Sequence, residues 1–225
     1  MRLRAHDMIV LFVLWGATGC PIATRGAEPV AIPAAADIET AMQSVKAIYA
    51  DKAAKAKTPA DRAVLAREVF GNRDSVTNQA ERYAILMTAL NLATKGDDPL
   101  LLLTIGDALA AAFKADRIQL FIDRVGETAG PVNPTTWPKL KSQLDAMAVA
   151  CLEANRFDDA GRVATAMSSL AKRARDAKAG TAAQTLRKTI ADRRKANERY
   201  EELSKAANEL DADPKVLLEF GRLLC

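Results

Sequence analysis

The sequence predicts an all-α protein, on three observations. Apolar residues recur at helical spacing through nearly all of the chain from Asp37 onward. No run of alternating β-branched residues bounded by turns interrupts them. Alanine fills about one position in five, an excess that favours helix, while aromatics stand at 5% of 225 residues. With 49% hydrophobic and 27% charged residues, the chain is rich enough in apolar side chains to bury a core. The expected architecture is antiparallel helix pairs stacked as a short α-solenoid, with an irregular helical bundle as the alternative.

Each helix can be justified in turn. Ile38, Met42, Val45 and Tyr49 mark one face of the first. Thr58-Pro59-Ala60-Asp61 starts the second: a capping hydroxyl, proline at the first helical position and an acid in the first turn. Leu65 and Val69 follow on one face and Gly71 marks a stop. Tyr83, Leu86, Met87 and Leu90 belong to a third helix ending at Lys95-Gly96, and Asp98-Pro99 opens a fourth with Leu101, Ile105, Leu109 and Phe113 inward. Asp116 caps a short fifth, and the irregular stretch from Pro131 to Pro138 follows. Leu140, Leu144, Met147 and Cys151 form the stripe of a sixth, and Asn155-Arg156 turns the chain into a seventh. Thr181 is the expected cap of a long eighth helix containing Leu186, Ile190, Ala196, Tyr200, Leu203 and Leu210. Asp213-Pro214 opens the last, with Leu217, Phe220 and Leu224 on its inner face.

The N-terminus reads as a processing signal. Arg2 and Arg4 precede the apolar run Met8 to Trp15, which is too short to span a bilayer, and small residues 16–19 follow. Residues 1–19 are therefore expected to be a signal peptide, and the mature protein to be exported to the periplasm or the membrane surface. Ala17-Thr18-Gly19-Cys20 resembles a bacterial lipobox, with Ala17 in place of the usual leucine. The resemblance implies diacylation of Cys20, whereas the same Ala-x-Gly pattern also suits ordinary cleavage and release of a soluble chain. Residues 20–36, carrying Pro21, Pro29 and Pro33, read as an extended flexible tether to a helical-repeat domain over 37–225. Of the later cysteines, Cys151 lies within an apolar stripe and is expected to be a small buried hydrophobe, although a bridge to Cys225 is an open alternative.

Proline-marked starts at Pro59, Pro99 and Pro138 are spaced 40 and 39 residues apart, a period found among helical repeat arrays. The segment from Ala148 to Met167 resembles the inner turn of a tetratricopeptide repeat, with Asn155, Phe157 and Ala160 in the small, aromatic and alanine places and Ala164 and Met167 at later packing positions. Thr94 to Asp98 resembles the same turn without the aromatic. This resemblance implies a TPR-like solenoid. More broadly, phrases such as Lys57 to Ala63 (KTPADRA) and the closing Asp213-Pro214 with Gly221 to Cys225 resemble exported, alanine-rich helical proteins of planctomycete-type bacteria, a family that brings no activity with it. The apolar ending Leu223-Leu224-Cys225 reads as the edge of a longer array, because terminal repeats normally present a polar outer face.

Composition also limits the chemistry. His6, the one histidine, falls in the expected signal peptide, so the exported part lacks imidazole for Ser-His-Asp or Cys-His catalysis and for histidine-ligated metals. The acid pairs Asp97-Asp98, Asp158-Asp159 and Glu201-Glu202 diverge by about 100° on a helix and make no ready dyad. Neither an enzyme nor a metal or other cofactor is expected. The net charge of +4 conceals a basic stretch: Lys172, Arg173, Arg175, Lys178, Arg187, Lys188, Arg193, Arg194 and Lys195 face only Asp176 and Asp192. Trp137, before Pro138, is expected to be a packing staple. The functional expectation is a non-catalytic scaffold or protein-binding module of the cell envelope, with Arg156, Arg162, Arg173 and Arg175 as surface contacts. The alternative is electrostatic binding of an anionic polysaccharide or membrane surface through residues 172–195; nucleic acid is not expected, because no aromatics interleave the basic residues.

Overall fold

The computed structural model describes residues 28–208 and 213–224, the last two by backbone alone. The expected signal peptide, Cys20, Leu210 and Cys225 lie outside the described residues. Among these residues the fold is all-helical: α1 (Ala35–Lys55), α2 (Pro59–Gly71), α3 (Gln79–Lys95), α4 (Pro99–Ala112), α5 (Arg117–Val125), α6 (Trp137–Glu153), α7 (Phe157–Arg173), α8 (Ala177–Ala207) and α9 (Pro214–Leu224). A short 3-10 turn, Asn72–Asp74, extends α2.

Helix starts are fixed by side chains that satisfy the first free amides. Thr58 and Asp61 form a reciprocal capping box on α2: the Asp61 amide donates to Thr58 Oγ1 at 3.1 Å and the Thr58 amide to Asp61 Oδ2 at 3.0 Å. Asn78, Asp98, Asp116 and Asp176 cap α3, α4, α5 and α8 through the same kind of carbonyl or carboxylate acceptor. Thr181 is not the cap of α8. It lies inside the helix and its hydroxyl donates to the Ala177 carbonyl at 3.1 Å, as a threonine past the first turn does.

Three connections share one geometry. Asp97, Asn155 and Arg175 have φ of 52°, 54° and 57°, the left-handed conformation that closes a helix. In each, the amide of the following residue reaches back five residues: Asp98 to Ala93 at 3.3 Å, Arg156 to Cys151 at 2.8 Å, Asp176 to Ala171 at 2.9 Å. The left-handed residue itself donates to the carbonyl three back, on Thr94, Leu152 and Lys172. These Schellman turns join α3 to α4, α6 to α7 and α7 to α8 with three residues each. Gly96 is needed beside one of them for proximity, since a Cβ there would sit 2.8 Å from the Ala63 amide nitrogen of α2.

One contiguous core runs through the molecule, with Leu86, Leu90, Leu102, Leu103, Ile105, Leu109, Phe113, Phe121, Leu140, Leu144 and Leu170 fully buried. The Tyr83 ring meets Phe113 edge-on at 5.1 Å. Packing follows chain order: α3 lies against α1, α2 and α4; α4 against α5 and α6; α7 against α5, α6 and α8; α9 against α8. Even-numbered helices begin at residues 59, 99, 137 and 177, so their starts are 40, 38 and 40 apart, and α3, α5 and α7 begin at 79, 117 and 157.

Two expectations at the ends are corrected. The segment expected to be a free tether over 20–36 is pinned at its C-terminal part: the Val30 amide donates to Ala112 O at 3.0 Å and Lys114 donates to Val30 O at 2.8 Å, and α1 begins at Ala35. Leu217 is exposed rather than inward, as are Leu218, Tyr200 and Ala196, because α9 packs on α8 and, among the described residues, no second helix packs over its other side. Phe220, half-buried, leans on Tyr200 at 5.7 Å.

Candidate binding surface

Side chains about forty positions apart tie successive helix starts together. Arg156, at the N-cap of α7, donates from Nη2 to Asp116 at the N-cap of α5 at 2.7 Å, and from Nε to Asp159 at 2.7 Å. Arg162 reaches from α7 to Asp123 at 3.1 Å and to Gln119 on α5. Trp137, 7% exposed at the start of α6, donates its indole N–H to Asp176 at the start of α8 at 2.9 Å. Arg67, in the middle of α2, pairs with Asp98, the cap of α4, across a shorter interval of 31 residues. Burial raises the Asp116 carboxyl, but the amides of Gln119 and Ile118 and the Arg156 guanidinium outweigh it and hold the group below its ordinary value. The Trp137 indole and the Ala179 amide likewise lower Asp176.

The residues singled out in the sequence divide accordingly. Ala160, Ala164 and Met167 are buried in the α6–α7–α8 contact, and Phe157 is half-buried beside them. Asn155 is not a packing residue: it is exposed, and its place in the turn is to carry the positive φ, which asparagine tolerates better than most residues. Arg156 and Arg162 are engaged within the fold, not free surface contacts. Arg173 is half-buried, donating from Nε to Gly130 O at 2.7 Å and from Nη1 to Thr128 Oγ1 at 2.7 Å. Burial lowers its pKa, opposed by the charge of Asp97. It therefore clamps the loop before α6 and is not available to an external anion. Arg194 pairs with Asp158 on α7. Lys172, Arg175, Lys178, Arg187, Lys188, Arg193 and Lys195 are exposed, and none forms an ion pair among the described residues. Cys151 is a free, buried thiol whose pKa is raised by desolvation.

Sequence reasoning missed an open groove between α5 and α7. Its floor is Ile122, Val125, Ala166 and Leu170, its rim is Asp158 and Arg162, and its volume is about 430 Å³. Gly161, Thr165 and Ser169 keep it open, because small residues at every fourth position leave the outer face of α7 low; that spacing was visible in the chain. A second groove of about 310 Å³ lies between α1 and α3, lined by Met42, Tyr49, Ala53, Thr88 and Leu92. Both lie between odd-numbered helices. Among the described residues no three acidic, cysteine or histidine side chains gather as a metal site, and no helix is long and apolar enough to cross a membrane. No family model, no curated protein and no solved structure matches the chain.

Proposed function

We propose that this chain is an exported, non-catalytic helical-repeat scaffold of the cell envelope that binds a partner protein along its odd-numbered helices. The carrying observation is an interval of about forty residues: the even-numbered and the odd-numbered helix starts from α2 to α8 recur at it and the Asp116–Arg156 and Trp137–Asp176 bonds span it, while each helix packs chiefly on helices one or two places away. Packing in chain order supports a TPR-like solenoid reading over an irregular bundle, in which distant helices would also meet. It leaves grooves between neighbours, and the α5–α7 groove has the apolar floor and charged rim of a site for an apolar side chain on a peptide. The resemblance to exported planctomycete-type helical proteins belongs with the same reading, and the mass of the mature N-terminus distinguishes a lipidated Cys20 from a released chain.

Panning a displayed peptide library against the mature protein tests the proposal. Peptides selected for binding are expected to carry a large apolar side chain and to lose affinity at least tenfold for Thr165→Trp, which fills the groove from an exposed position without touching the core. Selected peptides that bind Thr165→Trp as well as the native chain overturn the α5–α7 groove as the site.

A further inference from the structure

We infer that a second surface, built from the start of α6, the α7–α8 turn and the outer side of α8, binds a flexible linear polyanion. The Trp137–Asp176 bond sets the first turn of α6 against the start of α8, which brings Lys139 to the end that carries Lys172, Arg175 and Lys178. All four are exposed. Further along α8 stand Arg187, Lys188, Arg193 and Lys195, also exposed, so that Lys178 to Lys195 spans about 25 Å at 1.5 Å per residue. Among the described residues none of these eight forms an ion pair. Of the acids nearby, Asp145 pairs with Lys141 and Asp158 with Arg194; Asp176, bonded to the neutral Trp137 indole and Ala179 amide, keeps its charge, so the eight cations are opposed by Asp176, Asp192 and, one turn beyond Lys195, Glu198.

The placement favours a chain over a plane. Relative to Lys178, the 100° step puts Lys188 and Lys195 about 80–100° round one side of α8, Arg193 about 60° round the other and Arg187 opposite. A flat bilayer meets one side of a helix, whereas a flexible polymer follows cations round it. No large apolar residue is exposed between 172 and 195 to enter lipid: the exposed ones, such as Val149, Tyr200 and Leu217, lie elsewhere. The ligand class is therefore a linear polymer bearing carboxylates or other regularly spaced anions, held by Coulomb attraction and sensitive to salt.

Fluorescent alginate, a linear polyuronate, is the probe, with vesicles of equal parts phosphatidylcholine and phosphatidylglycerol as the comparison, both at low salt. The mature protein is expected to bind alginate and to release it at high salt. The triple variant Lys178→Gln, Lys188→Gln, Lys195→Gln should weaken binding about tenfold. The triple variant Lys46→Gln, Lys55→Gln, Lys114→Gln, which removes the same charge from exposed positions elsewhere, should leave it within about twofold. Equal losses in the two variants mean that net charge alone acts, and overturn the proposal. So does an absence of alginate binding, or vesicle binding with the same dependence on Lys178, Lys188 and Lys195. All six substitutions are at exposed positions, and unchanged thermal melting verifies the fold.

Discussion

Trp137 shows how one polar atom on an aromatic residue can set the arrangement of two helices. Its ring is buried, and its indole N–H finds the carboxylate that already caps α8. Trp137→Phe keeps an aromatic ring but removes the donor and part of the buried indole surface, so it should lower Tm by at least about 2–4 °C, measured by circular dichroism. The pH dependence has a definite sign. Asp176 has a lowered pKa in the folded chain, so its contribution is present above the unfolded value of about 3.9 and is lost as pH falls through the folded one. In Trp137→Phe the largest cause of that lowering is gone, and the loss of stability below pH 4 should be shallower than in the native protein. The staple role of Trp137 was legible from its position before Pro138, but its partner was not, because a bond across 39 residues leaves no local pattern.

At the scale of the helix, the three Schellman turns offer the same backbone to three different residues. Arginine gains nothing from the left-handed conformation, so Arg175→Gly should stabilise the protein by about 0.5–1 kcal/mol. Asn155→Gly should give less than half of that, because asparagine already accepts positive φ. Asp97→Gly should give no gain, since Asp97 Oδ1 accepts the Ala129 amide at 2.8 Å and holds the loop before α6. Urea unfolding midpoints check the order of the three. Most helix starts were readable because proline, Asp, Asn and Thr are punctuation with a known mechanism. The start of α8 lies at Asp176 rather than Thr181: both are capping residues, five positions apart, and the turn that decides between them is carried by Arg175, which gives no turn signal. The two-residue difference at α1 has a similar origin: Ala35 and Ala36 are good helix formers without a capping side chain before them.

For the molecule as a whole, the order of packing makes a separable response the expectation. Leu144 is fully buried in α6, and Leu144→Ala should cost about 2–5 kcal/mol locally. Hydrogen exchange should then rise in α6, α7 and α8 while α1 to α3 keep most of their protection, because among the described residues these two groups of helices have at most marginal direct contact. A uniform rise across the chain would identify a single cooperative unit. All-helical architecture was legible from periodicity alone. The α5–α7 groove was not, because an opening depends on what two helices 40 residues apart fail to fill. Nor could the sequence separate Arg173 and Arg194 from the other seven cations of the basic stretch, since their partners Gly130, Thr128 and Asp158 come from other parts of the chain.

The hold that Ala112 and Lys114 have on Val30 also sets a length. If Cys20 carries the anchor, the leash runs from 20 to 30 rather than to the first helix, and ten residues at full extension reach about 35 Å. The body would then hang from its flank, beside the end of α4, with that flank held within the same radius of the bilayer.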